Sequence, residues 1–149
     1  MAWQVKDGVR MYDIVDAQKA FEPLSRGLSG IRITELGRER IVAELLVRPE
    51  FCTPSRMHGG LYMAMADTLG AMGTVLNLPA GKHTTTIEST TKFISSARAG
   101  MKVVAETQPL HRGRTTMVWQ TAIKNSDGKL CALVTQTQLI LDGLLGVTD

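Results

Sequence analysis

Residues 59–81 read GGLYMAMADTLGAMGTVLNLPAG and carry one full charge, Asp67. A segment this apolar leaves water, either into a bilayer or into a protein interior. Its length suits both. Asp67 decides between them, because an acid near the middle of a membrane helix costs about 2.5–3.5 kcal/mol. The stretch is also rich in Gly, Ala and Thr rather than Leu and Ile. It reads as a buried helix over roughly residues 60–77, ended by Pro79 and Gly81, with no membrane insertion. Such a helix needs another layer to pack against.

The remaining periodicity supplies that layer. After the helix the pattern shifts to strands: residues 84–94, 101–110, 115–124 and 130–141 are rich in Val, Ile, Thr or aromatics. Breakers separate them at Ala99-Gly100, Arg112-Gly113 and Ser126-Asp127-Gly128. In the third run Met117, Trp119, Thr121 and Ile123 share one face, and the Asp127-Gly128 pair is a strong hairpin signal. Before the helix, residues 31–36 and 40–47 flank a turn at Gly37, and residues 48–57 form a loop broken by Pro49, Pro54 and Ser55. Residues 12–27 look helical in two pieces, broken near Pro23. One helix cannot provide crossovers for a parallel sheet of this many strands. The expected fold is α+β: one long central helix wrapped by a mostly antiparallel sheet of about five to six strands. An N-terminal helical extension, residues 1–28, precedes it. The 149 residues form a single domain, 1–149. One helix covers one face of the sheet, so a homodimer or higher oligomer is expected.

Composition narrows the function classes. Lys and Arg total 17 against 14 Asp and Glu, a net charge of +3 with no basic cluster, and aromatics are 5%. That balance excludes a nucleic-acid domain and fits a phosphate-bearing ligand. Two cysteines, Cys52 and Cys131, form no CxxC pair, which indicates a reduced, cytoplasmic protein. The N-terminal residues contain no apolar signal segment. His58, His83 and His111 lie on separate elements without ligand spacing, so no metal site is expected.

The chemistry concentrates at His58-Gly59-Gly60 and Asp67. The glycines let a ligand approach the first helical N–H groups, which sit at the positive end of the helix and can polarise a carbonyl. Asp67 lies two turns on, in a stripe with Gly60, Ala64, Ala71 and Thr74, while Leu61, Met65, Leu69, Met72 and Leu76 form an apolar side. An acid in a small-residue stripe can activate a water or attack an acyl carbon. Each piece also has a plainer reading: a turn, a capping histidine, an acid paired with Lys or Arg.

Taken together, the HGG followed by Asp nine residues after the His resembles the hotdog-fold acyl-CoA thioesterases of the PaaI type. The resemblance runs from about Ile31 to Leu141 and includes FCTPSRMHGG, TTTIESTTKFISSARAG, HRGRTT and TAIKNSDGKLCALVTQTQLIL. It implies hydrolysis of an acyl- or aroyl-CoA thioester to the free acid and CoA, with coenzyme A entering as part of the substrate and no separate cofactor. It implies Asp67 as base or nucleophile, Gly60 as the N–H donor to the thioester oxygen, and His58 as loop anchor or helper at the carbonyl. Thr86, with Thr85 one register away, matches a residue that supports the attacking water and usually comes from the facing subunit. Dimers or tetramers with sites at the dimer interface follow. Where the family often has Asn in the loop, this chain has Thr53, in a loop one residue shorter. Arg112 and Arg114 are candidates for the CoA phosphates, with Lys92, Arg98 and Lys102 as further basic residues. Met63, Met65, Leu69 and Phe93 are candidates for the acyl pocket. Two alternatives stand beside hydrolysis: a hotdog enoyl-CoA hydratase or dehydratase, and a non-catalytic acyl-CoA-binding protein, which the Thr53 departure motivates.

Overall fold

The computed structural model describes residues 4–6, 9–11, 13–15, 18 and 30–143. Strands β1 (Gln4–Lys6) and β2 (Val9–Met11) form a small antiparallel pair. Six further strands form the main sheet: β3 (Arg32–Leu36), β4 (Ile41–Leu46), β5 (Lys82–Phe93), β6 (Lys102–Arg112), β7 (Thr116–Asn125) and β8 (Leu130–Asp142). Their order is β3-β4-β6-β7-β8-β5, with every neighbouring pair antiparallel. Helix α1 (Gly59–Asn77) connects β4 to β5. Because β6, β7 and β8 lie between those two strands, the helix crosses the face of the sheet and packs on β5, β6, β7 and β8. This is the hotdog arrangement expected above.

The extension differs from its helical reading. Residues 4–6 and 9–11 are strand, and three-residue strands are too short to show a period. Asp7-Gly8, a pair favoured in hairpin turns, lies between them in sequence. Ile14, Val15 and Gln18 are helical, and the rest of the proposed helical pieces, with the break at Pro23, lies outside the described residues. Gln18 Nε2 donates to the Ile31 carbonyl at 2.8 Å, and its Oε1 accepts from the Ile33 N–H at 3.2 Å. The side-chain amide thereby satisfies backbone groups at the outer edge of β3.

Burial explains the helix position. Met65, Ala66 and Leu69 are wholly buried in one cluster with Leu45, Val103, Ile123 and Val134, each large side chain contributing about 1.5–3 kcal/mol. Further along, two glycines let the backbone lie close to the sheet. A Cβ on Gly70 would meet Gln136 Cδ at 2.5 Å, and one on Gly73 would meet the Trp119 ring at 2.8 Å. The buried seam therefore includes Gly70, Gly73 and Thr74, so of the small-residue stripe Thr74 faces the sheet rather than a ligand. Trp119 Nε1 donates to Thr74 Oγ1 at 2.8 Å, giving the buried indole its partner. Met117, Trp119, Thr121 and Ile123 of β7 are all buried, as their alternation predicts. No helix among the described residues is long and apolar enough to cross a membrane.

Candidate active site

The loop before α1 is pinned by backbone bonds. Met57 N–H donates to the Ala97 carbonyl at 2.9 Å and His58 N–H to the Phe51 carbonyl at 2.8 Å. His58 is the helix N-cap, and its Nδ1 accepts from the Gly60 N–H at 3.0 Å. The capping reading of His58 is thus realised, and the Gly60 N–H, assigned above to the thioester oxygen, already has an acceptor. The Gly59 N–H meets no acceptor among the described residues. A Cβ on Gly59 would lie 2.9 Å from the Phe93 ring of β5, so this glycine admits the ring over the first turn.

Asp67 is half-buried on α1, and its Oδ1 accepts from Thr86 Oγ1 at 2.8 Å. Thr86 belongs to β5 of the same chain, whereas the resemblance implied a residue from a facing subunit in this role. Its register explains the contact. A bulge at Ile87 shifts the pairing between Thr86 and Glu88, and Thr86 lies opposite the buried Gln138 of β8 while Thr85 is exposed. Bulges re-aim side chains in this way. Gln136 Nε2 donates to the Asp67 carbonyl at 3.1 Å and to Oδ1 at 3.4 Å. Gln138 Nε2 donates to Thr86 Oγ1 at 2.6 Å, and its Oε1 accepts from Thr84 Oγ1 at 3.0 Å. Asp67 Oδ2 accepts from no described residue.

The partners of Asp67 are all uncharged. Elsewhere acids sit against cations: Arg32 holds the Glu44 carboxyl below its usual range, Arg40 does so for Glu106, and Lys82 for Asp142. No described Lys or Arg pairs with Asp67. Among the described residues Asp67 is therefore not half of an ion pair.

The other candidates separate. Thr53 is exposed in the loop, its N–H donating to the Arg56 carbonyl at 2.8 Å, and no hydrogen bond joins it to Asp67, His58 or Thr86. Arg112 and Arg114 line a cavity of about 370 Å³ with Asn77, Lys82, Met117 and Ile140. Arg112 is engaged by Glu39 at 2.6 Å and Asn77 Oδ1 at 3.2 Å, whereas Arg114 shows no ion pair among the described residues. Lys92, Arg98 and Lys102 do not line this cavity, and Lys102 pairs with Glu44 at 3.1 Å. Of the acyl-pocket candidates, Met65 and Leu69 are sealed in the core, while Met63 and Phe93 are 40% and 56% exposed. The described residues hold no cluster of three or more His, Cys, Asp or Glu suited to a metal.

Thr84, Gln136 and Gln138 were missed from the sequence. The available signal was the pair of amides at alternate positions of β8, on the inward face that Val134 also occupies.

Comparison with known proteins fits this architecture. A family model described as the thioesterase superfamily matches residues 55–132, just over half of the chain. A putative esterase of Haemophilus influenzae is 31% identical over 114 residues, covering 76% of this chain and 82% of that protein. The 1,4-dihydroxy-2-naphthoyl-CoA hydrolase of Escherichia coli is 28% identical over 116 residues, covering 77% of this chain and 85% of that protein. Among solved structures, a thioesterase from Haemophilus influenzae superposes with a TM-score of 0.83 at 26% identity, covering 99% of this chain and all of that one. The Escherichia coli PaaI protein of the phenylacetic acid degradation operon gives 0.77 at 23% identity over 87% of this chain and 92% of that one. A thioesterase protein from Streptococcus pneumoniae, crystallised with coenzyme A, gives 0.74 at 19% identity over 88% of this chain and 98% of that one. The fold is that of the hotdog thioesterases. The chain belongs to the thioesterase superfamily, a class of thioester hydrolases.

Proposed function

We propose that the chain hydrolyses acyl-CoA or aroyl-CoA thioesters to the free acid and CoA. The observation that carries this reading is the state of Asp67: one carboxylate oxygen is tied to Thr86, and the other, on a half-buried helix face, has no donor among the described residues. A carboxylate held this way presents one basic oxygen in a fixed direction.

In the proposed reaction, Asp67 Oδ2 takes a proton from water as its oxygen attacks the thioester carbon. The carbonyl oxygen gains charge against a first-turn N–H of α1. Gly59 is the donor in this reading, since its N–H has no acceptor among the described residues while His58 occupies that of Gly60. The C–S bond then breaks, and the thiol leaves with the proton returned from Asp67. Phe93 and Met63, exposed near the first turns of α1, line the acyl group in this reading. The relative crystallised with coenzyme A and the relative named a naphthoyl-CoA hydrolase support CoA as the carrier. Arg114, with Arg112 and Lys82, offers its phosphates a basic cavity.

In this reading the site is built from two copies of the chain. Asp67 follows Gly59 by eight residues, about 12 Å along the axis. A polarised carbonyl with its attacking water spans about 7 Å between donor and base, because the path bends at the carbonyl carbon. We infer a homodimer in which Asp67 and Thr86 of one protomer face the Gly59 turn of its partner.

Thiol release from short, long and aromatic acyl-CoAs tests the reading, with wild type beside Asp67→Asn. The expected result is release by wild type and a fall in kcat of about 10²–10⁴-fold for the variant. An undiminished rate in the variant removes Asp67 from the chemistry. Pre-steady-state time courses with substrate in excess distinguish its role: a thiol burst equal to the site concentration is expected of an acylated Asp67 that is hydrolysed more slowly than it forms, and a linear course of a general base. Water addition to an enoyl-CoA without thiol release would favour a hydratase instead.

A further inference from the structure

We propose that Gln138 is a positioning residue that acts on Asp67 through Thr86, a role that rests on the hydrolase reading above. Gln138 is fully buried on the inward face of β8, and its amide joins two threonines of β5. Thr84 Oγ1 donates to Gln138 Oε1 at 3.0 Å, which turns the Nε2 end toward Thr86. Gln138 Nε2 then donates to Thr86 Oγ1 at 2.6 Å. A hydroxyl that accepts on one side has one proton left to give, and the acceptor in line is Asp67 Oδ1 at 2.8 Å. The chain of donors therefore runs one way, Thr84 to Gln138 to Thr86 to Asp67.

Direction matters because the amide has a second orientation. Flipped, its oxygen would face Thr86 and draw the hydroxyl proton away from the carboxylate. Thr84 would give up its bond to Oε1 and donate to the Leu139 carbonyl, also 3.0 Å away. Asp67 alone would lose its donor. The ionised carboxylate favours the observed orientation, and the observed orientation holds Oδ1 so that Oδ2 is the oxygen offered to water. Gln136 steadies the same residue from the backbone side. It lies flat against Gly70 and donates to the Asp67 carbonyl, while its own buried Oε1 has no partner.

The inference separates chemistry from binding. Gln138 touches no substrate in this reading, so its loss should fall on kcat. Gln138→Leu keeps the volume and removes the amide, and Thr84→Val leaves Gln138 in place but frees its orientation. Steady-state thiol release is measured for each, alone and with Thr86→Val, after thermal melts confirm folding. The expected result is a kcat about tenfold lower for Gln138→Leu with KM within about twofold, a smaller fall for Thr84→Val, and almost no further fall when either is added to Thr86→Val. A folded Gln138→Leu with wild-type kcat overturns the inference. So does a loss of the same size in the Thr86→Val background, because the effect would then not pass through Thr86. If Gln138→Leu does not fold, the two Thr84→Val comparisons decide by the same criteria. Wild type releasing no thiol from any acyl-CoA overturns the hydrolase reading itself, and the positioning role with it.

Discussion

Tyr62 shows how much one side chain settles near the start of α1. Its ring is buried, and its hydroxyl accepts from the Ala97 N–H at 3.0 Å, linking the first turns of the helix to the loop after β5. Burial pushes the phenol up to about 12, from an ordinary value of 10. Below pH 10 the phenol is neutral in folded and unfolded chains alike, and the contribution is fully present. Between about 10 and 12 the unfolded chain sheds the proton while the fold retains it, so stability falls as pH rises. The expected loss is on the order of 2 kcal/mol, read by urea unfolding from pH 8 to 12 as the difference between wild type and Tyr62→Phe. Equal slopes in the two proteins above pH 10 would show that Tyr62 does not carry the effect. At this scale the sequence was legible where a residue sits in a local pattern. His58, Gly59, Gly60 and Asp67 fall within ten consecutive positions. Gln136 lies 69 positions from Asp67, and no local spacing reveals that contact. A capping role for His58 was legible, but not that its ring would take the Gly60 N–H, because that depends on a rotamer rather than on residue order.

The elements were more legible than their contacts. The strands and α1 follow from apolar period, from Gly37, Gly100 and Gly128 at turns, and from Pro79 after the helix. The helical period placed Met65, Leu69 and Leu76 on one apolar side, and all three are buried. What it did not show was that Gly70 and Gly73 lie on that buried side too, where small size seats Gln136 and Trp119. The distinction is testable. In Gly73→Ala the new methyl would stand 2.8 Å from an indole that is wholly buried and hydrogen-bonded to Thr74, so neither can yield easily. The expected cost is about 1–3 kcal/mol, measured by denaturant unfolding. Ala71→Gly, one turn face away and half-buried, is a control that reports helix propensity alone, about 1 kcal/mol. A Gly73→Ala protein as stable as wild type would mean that the helix and sheet can separate at this point without strain.

At the scale of the whole molecule, β3 and β5 are the two edges of the main sheet, and they are treated differently. Gln18 satisfies backbone groups at the β3 edge, whereas β5 has no further strand beside it among the described residues. The inward face of β5 carries Thr86 and Phe93, so a partner seated along this edge would bring its own α1 close to Asp67. That geometry makes the dimer reading a prediction about which residues must share a chain. Asp67 and Thr86 must belong to one protomer and the Gly59 turn to the other. Asp67→Asn and Gly59→Val each inactivate both sites of their own homodimer. In a mixed dimer, one site collects both changes and the other collects neither. Refolding the two inactive proteins together at equal concentration should restore about one quarter of wild-type thiol release, since half of the dimers are mixed and each holds one intact site. Asp67→Asn mixed with Thr86→Val should restore nothing, because no pairing brings an unaltered Asp67 and Thr86 together in one chain. Recovery in the second mixture as large as in the first would place Thr86 on the partner after all. No recovery in the first, with mixed dimers present by mass spectrometry, would mean that each chain completes its own site.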